Sequence, residues 1–459
     1  MREATLYVID EAITESRPAP SQPLNRSAPV SFFFVLLFTF AIYARPEDIL
    51  PSIGQFHVTF ILGLCAGLSY LGSYLLGNAP LVWTRELRIV LFLTACFVAG
   101  VPFAYWRGGA FQVLTETWLK TLTIFFLLTQ TLVTLGRLRK ILWAIILSEL
   151  LVCAYSVVQS SHLIWIGQRL LGVSQDILGW NFLGLSAAVT IPYIAAIYIA
   201  QPGFLRTSVL ISSLLFLMWM LVLTASRGGL LNVLFSVALT WLVVLRGNSR
   251  AKAIGIGIVA VLLVAISLAP PVFWERMSTV WSGAQGSQSE VAAAARMSQE
   301  ERLGLLRRAI HYTFQNPVVG LGLGNFAVAS GTELGRPEDW LGTHNTFVEI
   351  SSEAGIPALV LFVSLLWTAI RRMQALSRTL AGSPETWELK LMARATSVSL
   401  LSFVFGAFFA HLGYGCFLYY PVAMAVGVQR IAHSIQEPSF SLALPVTDDL
   451  QPSATNWGP

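Results

Sequence analysis

The sequence predicts an all-α, polytopic integral membrane protein with about 12 transmembrane helices. Of its 459 residues, 55% are hydrophobic and 12% are charged, and the mean hydropathy is +0.67. Soluble domains carry roughly a quarter charged residues, so this composition excludes that class. Apolar runs close to the roughly 20 residues that cross a bilayer as a helix recur along the chain. Helices are expected because backbone groups in lipid must be paired internally.

Twelve apolar segments are candidate spans: 30–44, 57–77, 88–105, 113–134, 140–159, 180–200, 206–224, 228–246, 253–269, 354–371, 391–411 and 414–433. They make up one integral membrane domain, 29–435. A polar N-terminal segment, 1–28, precedes it and lacks the basic start of a cleavable signal peptide. The proline-containing tail, 436–459, is expected to be flexible.

The distribution of lysine and arginine among the short loops predicts the orientation of the chain. If the N-terminus is cytoplasmic, most basic residues fall on the cytoplasmic side, and the opposite short loops hold only Arg45, Arg107, Arg169 and Arg227. This orientation places both termini in the cytoplasm and the long polar loop, 270–353, on the outer face. The net charge of +5 suits anionic inner-leaflet lipid, so a membrane-lipid partner is expected and nucleic acid is not.

The sequence predicts neither a metal nor a cofactor. The four cysteines, Cys65, Cys96, Cys153 and Cys416, lie in apolar spans without the paired spacing of metal or redox sites. We interpret them as small hydrophobic residues. No acidic pair in the outer loops has metal-ligand spacing.

The long outer loop exceeds ordinary connections, which indicates a function for part of it and disorder for another part. Residues 282–295 have the composition of a mobile segment. A capping box at 298–301 predicts the start of a helix that ends at Gln315, before Pro317. Its apolar side is expected to lie against the membrane domain or in the interface, and carries Leu303, Leu306, Ile310 and Phe314.

Arg302 falls in the first turn of this predicted helix, where the helix dipole disfavours a cation. A cation placed against its local field suits an external anionic partner. The alternative is a solvated ion pair with Glu300 or Glu301. Further along, the glycines of 320–324 lack the strand and spacing of nucleotide-binding loops, and we expect a flexible hairpin there beside a cleft.

His344 is the candidate catalytic base. Together with Asn345 it precedes the tenth predicted span, and Asn345 or Thr343 is suited to cap that helix. A helix N-terminus disfavours imidazolium, so His344 is expected to be neutral near pH 7 and able to accept a proton. A hydrogen-bonding histidine at the interface is the alternative. Glu349 and Glu353, one helical turn apart, would orient the histidine, pair with an arginine or serve the structure.

Arg227 lies in a very short turn, 224–229, between two long apolar spans on the outer side. An ionisable group at that depth is costly unless it snorkels to the surface or binds an anion. Arg169 precedes Asn181 at the mouth of the sixth span on the same side. Several guanidinium groups facing one histidine suit a phosphate-bearing ligand, because the planar fork binds phosphate oxygens in pairs.

These segments resemble the O-antigen ligase and O-antigen polymerase family of bacterial membrane enzymes. The resemblance rests on the order and spacing of four segments over the central and C-terminal two thirds: SRGG at 226–229, RLxxL from Arg302, NPVVGLGLGNF at 316–326 and THNxFxxxxxExG at 343–355. The chain departs from many members in having Leu306 where they carry tryptophan.

The resemblance implies a fold similar to that of GT-C glycosyltransferases and a place in lipopolysaccharide or polysaccharide biosynthesis. It implies transfer of a glycan from undecaprenyl diphosphate on the periplasmic face of the inner membrane. Our hypothesis is that the transfer inverts the anomeric carbon and, since no acidic pair has metal-ligand spacing, that it needs no metal. His344 would activate the acceptor hydroxyl, and Arg227 and Arg302 would hold the diphosphate. Arg169 and Asn181 match a weaker family pattern.

The acceptor implied by the resemblance is the lipid A core, as in an O-antigen ligase. A polymerase would use the same residues with a second carrier-linked glycan as acceptor, and a protein O-oligosaccharyltransferase would use a Ser or Thr hydroxyl. A lipid-glycan transporter is the alternative from another class. It would place ionisable residues at the membrane midplane and show repeat symmetry.

Overall fold

The computed structural model describes residues 28–54, 56–158, 164–166, 169–172, 180–245, 249–281, 290–335, 340–380 and 386–436. Over these residues the chain is helical, apart from two short antiparallel strands, β1 (Ile164–Ile166) and β2 (Arg169–Gly172). The predicted all-α class is therefore confirmed for the described residues, with this one small exception. The N-terminal segment, most of the tail and residues 282–289 lie outside the described residues.

The N-terminal helices are α1 (Pro29–Ala44), α2 (Pro46–Ile49), α3 (Pro51–Gly54), α4 (Val58–Leu75), α5 (Arg85–Gly100), α6 (Arg107–Gln112), α7 (Leu119–Thr131) and α8 (Leu135–Val158). The later helices are α9 (Trp180–Ala200), α10 (Phe204–Thr224), α11 (Arg227–Leu239), α12 (Ser249–Ser267), α13 (Pro271–Trp281), α14 (Glu290–Gln315), α15 (Asn325–Glu333), α16 (Thr346–Thr379), α17 (Trp387–Gly406) and α18 (Cys416–Gln436). A 3₁₀ turn, Val101–Phe103, follows α5, and π-helical turns, Val113–Trp118 and Thr240–Val244, adjoin α7 and α11.

Among the described helices, eight are long and apolar enough to cross a membrane. A ninth span results if the pair Gly255–Ser267 and Pro271–Ser278, bent by 103°, is counted as one. The predicted spans 30–44, 113–134 and 414–433 are helical but do not meet the combined requirement of length and hydropathy. The chain is a polytopic membrane protein, and the total of twelve spans stays a prediction.

Helix α16 is broken at Gly355, which adopts φ 84° and ψ 173°. Pro357 has no N–H, and the N–H of Ile356 donates to the Pro317 carbonyl at 2.8 Å, so two carbonyls of the preceding turn lose their helical donors. The glycine-rich segment supplies the replacements: Leu321 N–H donates to Ser352 O at 2.8 Å and Gly322 N–H to Glu353 O at 2.9 Å.

The segment 316–326 is therefore fixed to the broken helix, and the expectation of a flexible hairpin is wrong. A Cβ at Gly320 would lie 2.3 Å from the Glu353 carbonyl carbon, and one at Gly355 would lie 2.3 Å from the Val318 oxygen. Only glycine permits backbones to approach so closely. The sequence-predicted start of the tenth span, 354, coincides with this break.

The loop helix α14 begins at Glu290, earlier than the capping box predicted. Its first turns contain the alanines of 292–295, and alanine has the highest helix propensity, which outweighs the local capping signal. The prediction that 282–295 is mobile is thus wrong for its helical part, 290–295, while 282–289 lies outside the described residues. The predicted end at Gln315 is confirmed.

The apolar side predicted for this helix does not pack on the membrane domain, so that alternative of the prediction is wrong. The side of α14 that packs on the protein carries Leu305, Ala309 and Tyr312, which are all buried. Leu303, Ile310 and Phe314 are exposed, by 48, 43 and 73% respectively. Contact of that exposed side with the membrane interface stays a prediction.

Candidate active site

The turn between α10 and α11 presents Arg227 at the first position of α11. Ala225 ends α10 in the left-handed conformation, with φ 45°, so the chain reverses within two residues. Ser226 caps α11, because its Oγ accepts the Gly229 N–H at 3.1 Å. A Cβ at Gly184 of α9 would lie 2.3 Å from the Gly229 Cα, so the paired glycines allow α9 and α11 to pack closely.

Two further arginines come from the outer loop. Arg302 lies on α14, well inside the helix rather than in its first turn, so the predicted conflict with the helix dipole does not apply. Arg276 lies on α13 and is 9% exposed. Helix α13 contacts both α11 and α14, and this packing brings the three arginines, Arg227, Arg276 and Arg302, to one region. We call them the arginine cluster.

The arginine cluster is close enough for mutual electrostatic influence. Desolvation lowers the pKa of Arg302, and the charge of Arg227 lowers it further, while Glu301 acts in the opposite direction. Arg276 is within electrostatic reach of both Arg227 and Arg302. Like charges held together in this way repel one another, and an arrangement that keeps them together is suited to an anion carrying more than one charge.

His344 lies immediately before helix α16 in the left-handed conformation, with φ 50°. The helix cap next to it holds this geometry. Asn345 Oδ1 accepts the N–H of Phe347 at 2.9 Å and of Val348 at 3.3 Å, so Asn345 is the N-cap. Thr343 Oγ1 donates to the Asn345 carbonyl at 2.9 Å instead. Asn345 thus supports His344 through the backbone.

A second histidine, His411, meets His344 edge to face, with ring centroids 5.2 Å apart. It belongs to the loop between α17 and α18, which Thr346 ties to the start of α16. Thr346 N–H donates to Ala407 O at 2.8 Å, its Oγ1 donates to Ala410 O at 2.7 Å, and the same Oγ1 accepts the Leu412 N–H at 3.2 Å.

Gly342 and Gly228 adjoin the same loop. A Cβ at Gly342 would lie 2.6 Å from His411 Nε2, so the imidazole of His411 rests against the bare backbone at 342. A Cβ at Gly228 would lie 3.0 Å from the Phe409 Cβ, so the arginine-bearing end of α11 packs beside the loop that carries His411.

The environment keeps His344 neutral. Desolvation, followed by the charges of His411 and Arg302, lowers the pKa of His344 to about 3. Desolvation and Arg302 also lower the pKa of His411. Taken as a whole residue, His411 is nevertheless exposed. The neutral state is as expected from the sequence, and burial is the largest cause of the lowered pKa.

The two histidines and the arginine cluster therefore converge, with Arg302 within electrostatic reach of both rings. The structure brings together His344, Arg227 and Arg302, the three residues singled out in the sequence. Sequence reasoning missed His411 and Arg276. Both carried a usable signal, since His411 ends the eleventh predicted span on the outer side and Arg276 opens the outer loop directly after the ninth.

Glu349 and Glu353 anchor the site rather than face its ligand. Glu349 Oε2 accepts the Gly413 N–H at 2.9 Å. Glu353 accepts the N–H groups of Gly324 at 2.8 Å and Phe326 at 2.9 Å, and the Tyr414 hydroxyl at 2.8 Å. These contacts join the first half of α16 to the glycine-rich segment and to the His411 loop. Of the roles foreseen for the pair, the structural one fits.

Arg169 and Asn181 are described by their backbones alone. Arg169 lies in β2 and Asn181 in the first turn of α9. Their side chains lie outside the described residues, so their part in the site stays a prediction. Among the described residues, no group of three or more His, Cys, Asp or Glu side chains is gathered as metal ligands would be. Metal-independent chemistry is likewise kept as a prediction.

Comparison with known proteins gives one family match, over the central part of the chain. Residues 212–363 match the family model described as O-antigen ligase, and this range contains Arg227, Arg276, Arg302 and His344. No curated protein matches the chain. Members of this family are glycosyl-transfer enzymes that use a lipid-linked glycan and an acceptor. The match over residues 212–363 supports membership of the O-antigen ligase and polymerase family, as the sequence motifs indicated.

Proposed function

We propose that this protein transfers a glycan from undecaprenyl diphosphate to a hydroxyl of the lipid A core, on the periplasmic face of the bacterial inner membrane. One observation carries the proposal: a histidine kept neutral by its surroundings lies within electrostatic reach of a cluster of arginines. A neutral imidazole accepts protons, and clustered guanidinium groups bind a diphosphate.

The arginine cluster binds the leaving group. The diphosphate of the donor lies against Arg227 and Arg302, with Arg276 supplying a third positive charge, while the lipid tail stays in the hydrocarbon. Guanidinium groups that are already in place stabilise the negative charge as it grows on the departing diphosphate, without further reorganisation. The anion also offsets the mutual repulsion of the three cations, so binding and stabilisation of the site are linked.

His344 accepts the proton of the acceptor hydroxyl. As the hydroxyl oxygen attacks the anomeric carbon, the bond from that carbon to the diphosphate oxygen breaks, and its electron pair leaves with the diphosphate. Attack from the face opposite the leaving group inverts the anomeric configuration. General-base catalysis of this kind contributes about 10²- to 10⁴-fold to the rate. His411 is a positioning residue, because its ring holds that of His344 edge to face.

Purified protein tests the proposal. The donor is the undecaprenyl-diphosphate glycan of the producing strain, and the acceptors, offered separately, are lipid A core, a second carrier-linked chain and a Ser/Thr peptide. Transfer to lipid A core alone is the expected result. Transfer to the second chain would make the protein a polymerase, and transfer to the peptide a protein O-oligosaccharyltransferase.

Two outcomes would contradict the chemistry whatever the acceptor. Transfer by the His344→Ala variant at the wild-type rate would rule out the proposed base. Strong inhibition by a chelator, reversed by added divalent metal, would overturn the metal-free mechanism. Movement of the intact lipid-linked glycan across vesicles without any transfer would support the transporter instead.

A further inference from the structure

A recess lies on the predicted outer side of the protein, and none of the three clustered arginines is in its lining. It is a cavity of about 410 Å³ between the end of α5, the end of α14 and the end of α15. Tyr105 is fixed at one wall, because its N–H donates to Leu321 O at 2.8 Å. We call it the aromatic cavity; the lining residues used below are Phe103, Tyr105, Tyr312, Gln315 and Glu333.

The walls of the aromatic cavity combine open aromatic surface with hydrogen-bonding groups. Phe103 is 70% exposed and Tyr105 is 56% exposed, so much of each side chain is open to a ligand. Aromatic faces carry partial negative charge and attract the weakly positive C–H groups of a sugar ring. A pocket with aromatic walls and a few convergent polar groups is the usual form of a small-ligand site.

The polar groups of the cavity suit hydroxyls. The Tyr312 phenol donates to Glu333 Oε2, and a carboxylate has acceptor capacity beyond one such bond. Burial and the neighbouring Glu333 raise the pKa of Tyr312, so its hydroxyl stays protonated. Gln315 Nε2 lies 2.8 Å from His311 Nε2, and the amide oxygen adds a further acceptor.

The charge of the lining separates this cavity from the diphosphate site. Among the described lining residues there is one carboxylate, that of Glu333, and no lysine or arginine. Such a lining disfavours phosphate and other anions but binds the hydroxyls of an uncharged ligand through charge-assisted hydrogen bonds.

Helix α14 links the two sites. Arg302 and Tyr312 lie ten residues apart on this one helix, which is about 15 Å at the helical rise per residue. A glycan of several sugar residues whose end is held at the arginine cluster would therefore reach the aromatic cavity. Both lie on the predicted outer side.

We propose that the aromatic cavity is an oligosaccharide-binding subsite, which holds sugar residues remote from the reacting bond. The proposal rests on the proposed function for the source of the sugar. Two sources share this chemistry, namely the glycan that is transferred and the core oligosaccharide that accepts it. Binding of its remote sugar residues there would hold a long glycan in a fixed position while its end reacts.

Calorimetric titration of the full-length protein in detergent tests the subsite with two probes. One is the water-soluble oligosaccharide released by mild acid from the undecaprenyl-diphosphate donor, and the other is the core oligosaccharide released from lipid A. Wild-type protein is expected to bind one or both. Tyr105→Ala should weaken that binding about tenfold, as truncation of an aromatic anchor in a ligand pocket typically does.

Phe314→Ala is the matched control, because Phe314 is an exposed aromatic residue on α14 that does not line the cavity. It should bind as wild type. Should Tyr105→Ala fail to fold, Glu333→Gln carries the same test, since it keeps the shape of an exposed side chain and removes the charged acceptor. If only the oligosaccharide released from the donor binds, the cavity is assigned to the transferred glycan. If only the core oligosaccharide binds, the cavity is assigned to the acceptor.

The proposal is overturned if neither probe binds the wild-type protein at millimolar concentration, or if both cavity variants bind as tightly as Phe314→Ala does. His344→Ala separates this result from the proposed function, because that variant should lose transfer and retain oligosaccharide binding. Binding that depends on Tyr105 in a protein that transfers no glycan would keep the subsite and reject the enzyme.

Discussion

His344 and His411 meet edge to face across the start of α16, with ring centroids 5.2 Å apart. The two residues are far apart in the sequence and are joined by the Thr346 hydrogen bonds to the His411 loop. This contact gives the imidazole of His344, the proposed base, a defined orientation. It also adds to the forces that keep His344 unprotonated, because His411 is second among the causes that lower its pKa.

The first prediction concerns the two rings. His344→Ala should reduce kcat for glycan transfer by about 10²- to 10⁴-fold, as loss of a general base does. His411→Phe retains a ring at the edge-to-face contact and should lose much less. His433→Ala, at an exposed position on α18, is the matched control and should be unaffected. An assay with carrier-linked donor measures all three, and equal losses at 344 and 433 would remove His344 from the mechanism.

The second prediction concerns the arginine cluster. Arg302→Ala should lower kcat/KM by about 10²- to 10³-fold, the usual cost of removing a group that stabilises transition-state charge. Arg302→Lys should recover part of the loss, since lysine restores the charge without the planar fork. Arg307→Lys, at an exposed site on the same helix, should be neutral. Full activity of Arg302→Lys would argue against paired hydrogen bonds to the diphosphate.

The third prediction is the pH dependence. Because the pKa of His344 is lowered to about 3 from its ordinary value of 6.5, the imidazole stays neutral as the pH falls well below neutrality. A base of ordinary pKa would be progressively protonated there. We therefore expect kcat/KM to stay level from about pH 8 to about pH 5. A tenfold fall over that range, absent from the residual activity of His344→Ala, would show that the histidine titrates normally.

The fourth prediction concerns the cap beside the base. Asn345→Ala removes the acceptor for the Phe347 and Val348 N–H groups, and loss of such a cap costs about 1 kcal/mol of stability. It should also lower kcat, because the cap fixes the backbone at His344. Asn345→Ser keeps a capping oxygen and should recover both. Thermal unfolding and transfer rate are the measurements, and an unchanged rate in Asn345→Ala would limit the cap to stability.

The fifth prediction concerns the break in α16. Gly355 has φ 84° and ψ 173°, a conformation essentially confined to glycine, and an added Cβ would lie 2.3 Å from the Val318 oxygen. Gly355→Ala should therefore sharply reduce the yield of folded protein and its unfolding temperature. Gly304→Ala is the control, since a Cβ there meets nothing within 4 Å. It should be neutral or stabilising by up to about 1 kcal/mol. Equal behaviour of the two variants would contradict the packing described for the break.

Sequence signals predicted the helix boundaries correctly where the contacts that set those boundaries lie between near neighbours in the chain. The cap at Asn345 and the end of α14 before Pro317 follow from nearest neighbours, and both were predictable. The predicted start of α14 is wrong, because the helix propensity of the preceding alanine run extends the helix beyond the capping box. The side of α14 that packs on the protein also differs from the predicted one, since its apolar residues occupy more than one side.

The glycine-rich segment shows the limit of reading a motif by its composition. Glycines usually indicate a backbone with high conformational freedom, and the sequence therefore predicts a flexible hairpin there. In the structure they permit contact instead, because the broken helix at Gly355 leaves two carbonyls that only a closely packed backbone can reach.

The sequence by itself determined the membrane class, the helical fold and the family resemblance, because hydropathy, charge and motif spacing are properties of the linear sequence. It also identified three of the residues that lie together in the site, His344, Arg227 and Arg302. Tertiary structure alone decided that α13 brings Arg276 within electrostatic reach of Arg227 and Arg302 and that the loop after α17 sets His411 against His344. It also decided how far burial keeps His344 neutral. The physical reason is that desolvation and charge proximity depend on distances between residues remote in sequence, and those distances exist only once the helices have packed.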